Sequence, residues 1–330
     1  MVVTSEELVN VIKKHKNKLT SPQILSALRG FIDANLNIQE SHNYRRAASD
    51  DVITLFEYVS RCEDDGLLLA LTAVKIFSRK EVNRVLFQSS SVTVLFAMLD
   101  YTKDLLVWTE IVAIILNLCY DMKFVAAFLE MDGISTLKRI VQMEFPFDEY
   151  ENADDDSVLL LKSYISGTFQ SICYTQRGKA ATIDAGMLPI IVSLLKTSQS
   201  QELSVRCMGV LHNVSSDLRS LDMLVSSGIV DLLPRLLSSY ERLAGPTAGL
   251  TQNLSRKEEI REHLRGIDAV ELCTELLGRS TEANTQLCCV GALINLLGPE
   301  YDSTIEWHLI KQSLVDTIVA ATISSAFSNV

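Results

Sequence analysis

The chain has 330 residues, 48% of them apolar, with 14 Gly, 6 Pro and a formal net charge of −11. So apolar a composition excludes a disordered chain, and so few breakers exclude an all-β protein. The acidic balance disfavours nucleic acid, whose phosphates require a basic surface, and favours basic partners through long-range attraction.

In chain order, Met1-Val2-Val3-Thr4 runs into Glu6, Glu7, Lys13, Lys14, Lys16 and Lys18. That start has no secretory apolar core, and Val2 stands where a myristoylation signal needs glycine. Apolar helical runs follow at 27–32, 71–78 and 112–119. Gly133-Ile134-Ser135-Thr136-Leu137 opens another helix. The stretch 144–156 then carries seven acids, one Pro and no base. It reads as a loop, with Phe145 and Phe147 as apolar anchors. Beyond it the pattern sharpens. Gly186-Met187-Leu188-Pro189 and Gly228-Ile229-Val230-Asp231 each lead an apolar helix, as does Gly266-Ile267-Asp268-Ala269. The glycine turns the chain out of the preceding helix, and Pro suits a first helical turn. Longer apolar helices are predicted over 203–214 and 285–297, and short amphipathic ones over 218–225 and 258–264. The run 314–327 reads as a capping helix. No window holds 18 uninterrupted apolar residues, so no membrane span is expected.

A residue ladder runs through these helices. Asn117, Asn213, Asn253 and Asn295 share apolar helical surroundings, Ser171 fills the slot between the first two, and Lys75 precedes them. The steps are 42, 54, 42, 40 and 42 residues. A period in the forties marks a helical repeat array, each unit a short, a medium and a long helix. The long step exceeds 42 by 12 residues, and the surplus falls in the acidic stretch, between the second and third helices of its repeat. Four residues before the rungs stand Ala113, Gly167, Gly209, Gly249 and Gly291, which leave an open groove floor or allow close helix packing.

Gly209-Val210-Leu211-His212-Asn213-Val214-Ser215 and Gly291-Ala292-Leu293-Ile294-Asn295-Leu296 resemble the third helix of the armadillo repeat, and Ala185-Gly186 resembles a repeat start. The likeness is strongest over 132–300 and looser over 20–131. It implies an all-α, right-handed solenoid of six to seven repeats, with units near 5–47, 48–90, 91–131, 132–184, 185–226, 227–265 and 266–304 and a cap at 305–330. It also implies a non-enzymatic scaffold without cofactor or metal, with a groove that holds an extended segment of a partner protein. In armadillo proteins such Asn residues line the concave groove. Importin-α-like members add a Trp four residues before the Asn; here that slot is small, and the two Trp are Trp108 and Trp307.

An Asn amide has donors and an acceptor, so it suits the backbone of an extended chain or, alternatively, a bridge between neighbouring helices. The positions seven before the rungs are read as Leu68, Glu110, Tyr164, Arg206, Arg242 and Cys288. Glu110, Tyr164, Arg206 and Arg242 are thus candidates for selectivity beside Lys75, Asn117, Ser171, Asn213, Asn253 and Asn295. Glu202 and Glu241 are available as local ion-pair partners for the two Arg. A regulator or chaperone of a folded partner, a motor protein or small GTPase, is the alternative; it would use the convex face or the acidic loop. Self-association through an exposed helical end is compatible with either.

No catalytic constellation stands out. His212 and Cys207 lie five apart on one helix, about 140° around it, and share no face. Asp154-Asp155-Asp156 lacks the ligand spacing of a calcium loop. The seven Cys read as reduced structural thiols of a cytoplasmic or nuclear protein. Asn213-Val214-Ser215 and Asn253-Leu254-Ser255 match the glycosylation sequon, but within helices of a chain lacking a signal peptide.

Overall fold

The structure, a computed structural model, describes residues 4–15, 21–37, 47–62, 65–145, 149 and 154–298. Among them all regular structure is helical, in two compact units. Unit 1, Met1–Ile172, holds α1 (Ser5–His15), α2 (Pro22–Asn35), α3 (Ser49–Val59), α4 (Asp65–Ser78), α5 (Glu81–Arg84), α6 (Ser90–Leu99), α7 (Leu105–Leu118), α8 (Met122–Glu130), α9 (Gly133–Gln142) and α10 (Asp155–Ile172). Unit 2, Cys173–Val330, holds α11 (Gln176–Asp184), α12 (Leu188–Thr197), α13 (Gln201–Ser215), α14 (Leu221–Ser226), α15 (Leu233–Leu237), α16 (Glu241–Leu254), α17 (Glu258–Arg265), α18 (Ala269–Arg279) and α19 (Ala283–Leu296). The expected cap at 305–330, with Trp307, and most of the acidic stretch lie outside the described residues.

The short, medium and long triplet recurs: α8, α9 and α10 in unit 1, α11, α12 and α13 in unit 2. Third helices pack on third helices, α2 on α4, α4 on α7 and α7 on α10 in unit 1, α13 on α16 and α16 on α19 in unit 2. A third helix inside such a stack is covered on two sides, so α7 is apolar nearly all round. Eleven of its 14 residues are buried, and its polar side chains are Thr109, Glu110 and Asn117. Thr109 turns its hydroxyl back to Leu105 O, while Glu110 and Asn117 stand seven apart on the remaining face. Under the stack, Phe31 and Phe77 stack at 5.3 Å, and Phe96 meets Phe128 at 5.6 Å.

Polar side chains punctuate the helices at both ends. Asp104, Asp121, Thr175 and Ser200 accept backbone N–H bonds as N-caps of α7, α8, α11 and α13. At the other end, Arg84 donates to Ser78 O and Arg79 O, and Arg261 to Ser255 O and Arg256 O, closing α4 and α16 from the helix that follows. Arg235 reaches Leu195 O, and Arg279 reaches Ser239 O, each from the next repeat's second helix. Cations at helix C-termini satisfy orphan carbonyls and oppose the helix dipole. These arginines hold repeat to repeat, a role that their scatter along the sequence hides.

Three local expectations are corrected. The left-handed residue that turns the chain into a second helix is Gly186 (φ +66°) and Gly228 (φ +82°) in two repeats, but Asp132 (φ 53°) and Asp268 (φ 59°) in two others. Asp tolerates that conformation better than most side chains. Gly133 serves packing instead, since a Cβ there would sit 2.7 Å from the Phe128 ring. The acidic stretch does fall between the second helix α9 and the third helix α10, but its end is not loop. Asp154 Oδ1 accepts from Ser157 N at 2.7 Å, and Asp155 and Asp156 form the first turn of α10, where the helix dipole favours negative charge. Hydrogen bonds from Ser157, first its side chain and then its backbone N–H, hold the Asp154 carboxyl below its ordinary pKa. At the other end of the stretch, the Phe145 ring meets Trp108 edge-on at 6.0 Å. Among the described residues no single helix is long and apolar enough to cross a membrane.

Candidate functional site

Three of the rung side chains, Asn117, Asn253 and Asn295, bond to the preceding third helix in the same way. Asn117 Nδ2 donates to Ser78 Oγ at 2.9 Å, Asn253 Nδ2 to Ser215 Oγ at 2.8 Å and Asn295 Nδ2 to Ser255 Oγ at 3.0 Å. Each Ser has its own proton committed to the carbonyl three residues earlier: Ser78 to Lys75 O, Ser215 to His212 O, Ser255 to Gln252 O. A hydroxyl that donates there must accept from the amide, so the Nδ2 assignment follows from the network. Asn117 and Asn295 also reach the carbonyls of Lys75 and Gln252, both at 3.4 Å.

This network fixes the register. Lys75 matches His212 and Gln252, the residues just before a rung, so the slot ahead of Asn117 belongs to buried Ile76 rather than to Lys75. It also gives the two sequon-like triplets a physical meaning. In Asn213-Val214-Ser215 and Asn253-Leu254-Ser255 the Ser is the acceptor for the next rung.

The residue before the rung has its own seat. A Cβ on Gly249 would overlap the His212 ring, and one on Gly291 would overlap the Gln252 amide. At Gly249 and Gly291 the small residue four before the rung therefore serves close helix packing, not an open floor: each receives the side chain at the preceding helix's pre-rung position. Lys75, at that position in α4, reaches across to Glu110 on α7 and forms an ion pair with it. Both side chains are largely withdrawn from solvent, at 12% and 15% exposure, and Glu110 Oε2 is buried without a hydrogen-bond partner.

The selectivity candidates are distributed as follows. Glu202 Oε1 accepts from Arg206 Nε at 2.8 Å, and Glu202 Oε2 accepts from Arg242 Nη2 at 3.3 Å, so one carboxylate bridges α13 and α16. The Arg206 bond is the main reason the Glu202 carboxyl titrates below its ordinary value. Arg242 stands eleven residues before Asn253, at the start of α16; the position seven before that rung is Pro246. Glu241 bonds instead to Ser280 Oγ at 2.9 Å and Thr285 Oγ1 at 2.7 Å. Tyr164 is half-buried and Ser171 buried in α10, and Asn213 is half-buried in α13. Six of the seven thiols are buried and Cys288 is half-buried, with Cys173 pushed up to about 12 by burial.

No family model and no curated protein matches the chain. Solved structures do. A designed armadillo repeat protein is 18% identical with a TM-score of 0.63, over 74% of this chain and 99% of its own. An engineered protein is 19% identical with a TM-score of 0.60, over 74% and 96%. A structure described as computationally designed armadillo repeat proteins for modular peptide recognition is 17% identical with a TM-score of 0.61, over 74% and 99%. At such identities the likeness establishes the fold, an all-α armadillo-like solenoid.

Two outcomes are expected at the His212 seat. Gly249→Ala should destabilise by about 1–3 kcal/mol through overpacking. In a His212→Ala background the same change should be neutral or stabilise by up to about 1 kcal/mol, the helix-propensity gain of Ala over Gly. Urea unfolding of the four-protein cycle checks this. The second outcome concerns pH. Burial first, and then the Lys179 charge, lower the His212 pKa from 6.5. The folded state therefore prefers the neutral ring. Its contribution is fully present above pH 6.5 and is lost as pH falls from there through the lower folded-state value. His212→Gln, the residue used at Gln252, should flatten that acid limb; an unchanged slope between about pH 7.5 and 5 would refute the assignment.

Proposed function

We propose that the protein is a non-enzymatic scaffold that holds an extended segment of a partner protein against its third-helix faces. The observation that carries this is the orientation of the rung amides. Asn253 and Asn295 commit Nδ2 to the preceding helix, and among the described residues their Oδ1 atoms carry no hydrogen bond. A row of acceptors on successive helices suits the N–H donors of an extended backbone. Packed helices lie about 8–10 Å apart, the reach of about three extended residues, so one rung serves about every third residue of the partner. Backbone pairing of this kind gives affinity without reading side chains. The armadillo-like fold, shared with proteins designed for modular peptide recognition, points the same way.

Selectivity then rests on the neighbours of the rungs. At α13 and α16, Arg206 and Arg242 share the single carboxylate of Glu202, and the Arg242 side chain is 70% exposed. An acidic side chain of the partner fits opposite Arg242. In unit 1, Lys75 and Glu110 neutralise one another, and Tyr164 offers an aromatic surface in place of charge.

The test separates holding a partner from holding the fold. Asn213→Ala/Asn253→Ala/Asn295→Ala is compared with Ser215→Ala/Ser255→Ala in pull-downs from cell extract, after circular dichroism shows both folded. The Ser variant loses inter-repeat bonds worth about 1 kcal/mol each but keeps every rung acceptor. It should melt earlier and retain its partners. The Asn variant should recover the same partners at least about ten-fold less well. Full recovery by the Asn variant would assign binding to another surface, as the folded-partner alternative requires.

A further inference from the structure

In α13 and α16 the side chain before the rung lies over a glycine of the next third helix, and the Ser after the rung accepts that helix's Asn. The equivalent positions of α19, the last of the described third helices, are Ile294 and Leu297. Ile294 is 67% exposed, as is Leu287 seven residues earlier, and Val290 and Leu297 are partly exposed. Spaced by three, four and three residues, these four side chains form one apolar stripe where the internal repeats meet the next helix. We propose that residues 314–327 of this chain cover that stripe.

Three features select this occupant over any other apolar surface. The first is proximity along the chain: 314–327 begins only 16 residues after Gly298. The second is composition. The segment carries Leu314, Val315, Ile318, Val319, Ile323 and Phe327, with small Ala320 and Ala321 to seat Ile294 as Gly249 and Gly291 seat His212 and Gln252. The third is the absence of a matching polar pair. Each Ser that follows a third helix's rung position accepts an Asn from the next helix, as Ser78, Ser215 and Ser255 do. A Cys holds that place in two repeats, Cys119 before the rung Ser171 and Cys173 before the rung Asn213. Leu297 likewise replaces the Ser after Asn295, and 314–327 contains neither Asn nor Gln. An apolar position thus faces a segment with no amide to satisfy. A cover with a rung Asn would leave that amide donor buried against Leu297.

The test places the photo-cross-linker benzoylphenylalanine at position 294 of the full chain, an exposed site that tolerates it. Irradiation at two protein concentrations ten-fold apart is followed by peptide mass spectrometry. An adduct within one chain to residues 314–327, in concentration-independent yield and abolished by Ile318→Asp/Ile323→Asp, is expected. A product between two chains that grows with concentration would assign the stripe to a second copy and overturn the proposal. So would adducts elsewhere in the chain, or none.

Discussion

Everything in the third-helix stacks depends on how closely the helices approach, and one interaction sets that approach. The amide of Asn117, Asn253 or Asn295 must reach the hydroxyl of a Ser on the previous third helix, within 3.0 Å in each case. A bond that short between two helices requires a small residue one turn before the Asn, where the previous helix's side chain would otherwise collide. Ala113, Gly249 and Gly291 meet that requirement, and the overlaps at Gly249 and Gly291 show how little space remains. Glycine in a helix interior costs about 1 kcal/mol relative to Ala, so its use here reflects packing rather than propensity. The same bond orients the amide, because a Ser whose proton is already given to a carbonyl can only accept. Which atom of the Asn faces outward is thereby decided by the fold.

The position just before the rung shows one geometric slot filled by different chemistry. Lys75, Leu116, Gln170, His212, Gln252 and Ile294 occupy it in turn. Lys75 is held by Glu110, and both are largely buried, where desolvation offsets much of the attraction and the loss of one partner leaves a stranded charge. His212 is kept neutral by burial and by Lys179. Gln252 lies over Gly291, and Ile294 is exposed. The backbone arrangement around the slot is maintained through its hydrogen bonds, while the side chain in it tunes charge and polarity along each unit. A repeat protein can vary this position without altering the packing that surrounds it.

How much of this was legible in the sequence depended on the range of the interaction. The third helices were readable from apolar spacing alone: 203–214 and 285–297 against Gln201–Ser215 and Ala283–Leu296. The break in period located the acidic stretch between α9 and α10. The single-residue error at Lys75 arose because a spacing of 42 from Asn117 fits it well, while the true step to Ile76 is 41, and a polar residue looks more like a rung than an isoleucine does. Arg242 was placed on the rung's neighbouring slot although it lies eleven residues away, a turn earlier than Pro246. The Ser acceptors were in view as sequons, yet their partners sit 38 to 40 residues on, beyond any local pattern. The capping arginines escaped for the same reason, since their acceptors are backbone carbonyls, which carry no sequence signal.

Those long-range bonds also change what the rung offers a partner. Read locally, an Asn presents donors and an acceptor together, and a groove of such residues would be indifferent to which backbone group it met. With an Nδ2 proton committed to Ser215 or Ser255, Asn253 and Asn295 keep Oδ1 as an acceptor for the proposed partner. A partner must bring donors, and an extended chain brings N–H groups on alternate sides at a fixed rise. On the proposed reading, the net charge of −11 would draw such a chain from a distance if it were basic, whereas the exposed Arg242 would meet an acidic side chain at close range. Long-range steering and local complementarity thus act on different parts of a bound segment. On the proposed reading the local term would govern register, because it falls beside the rungs.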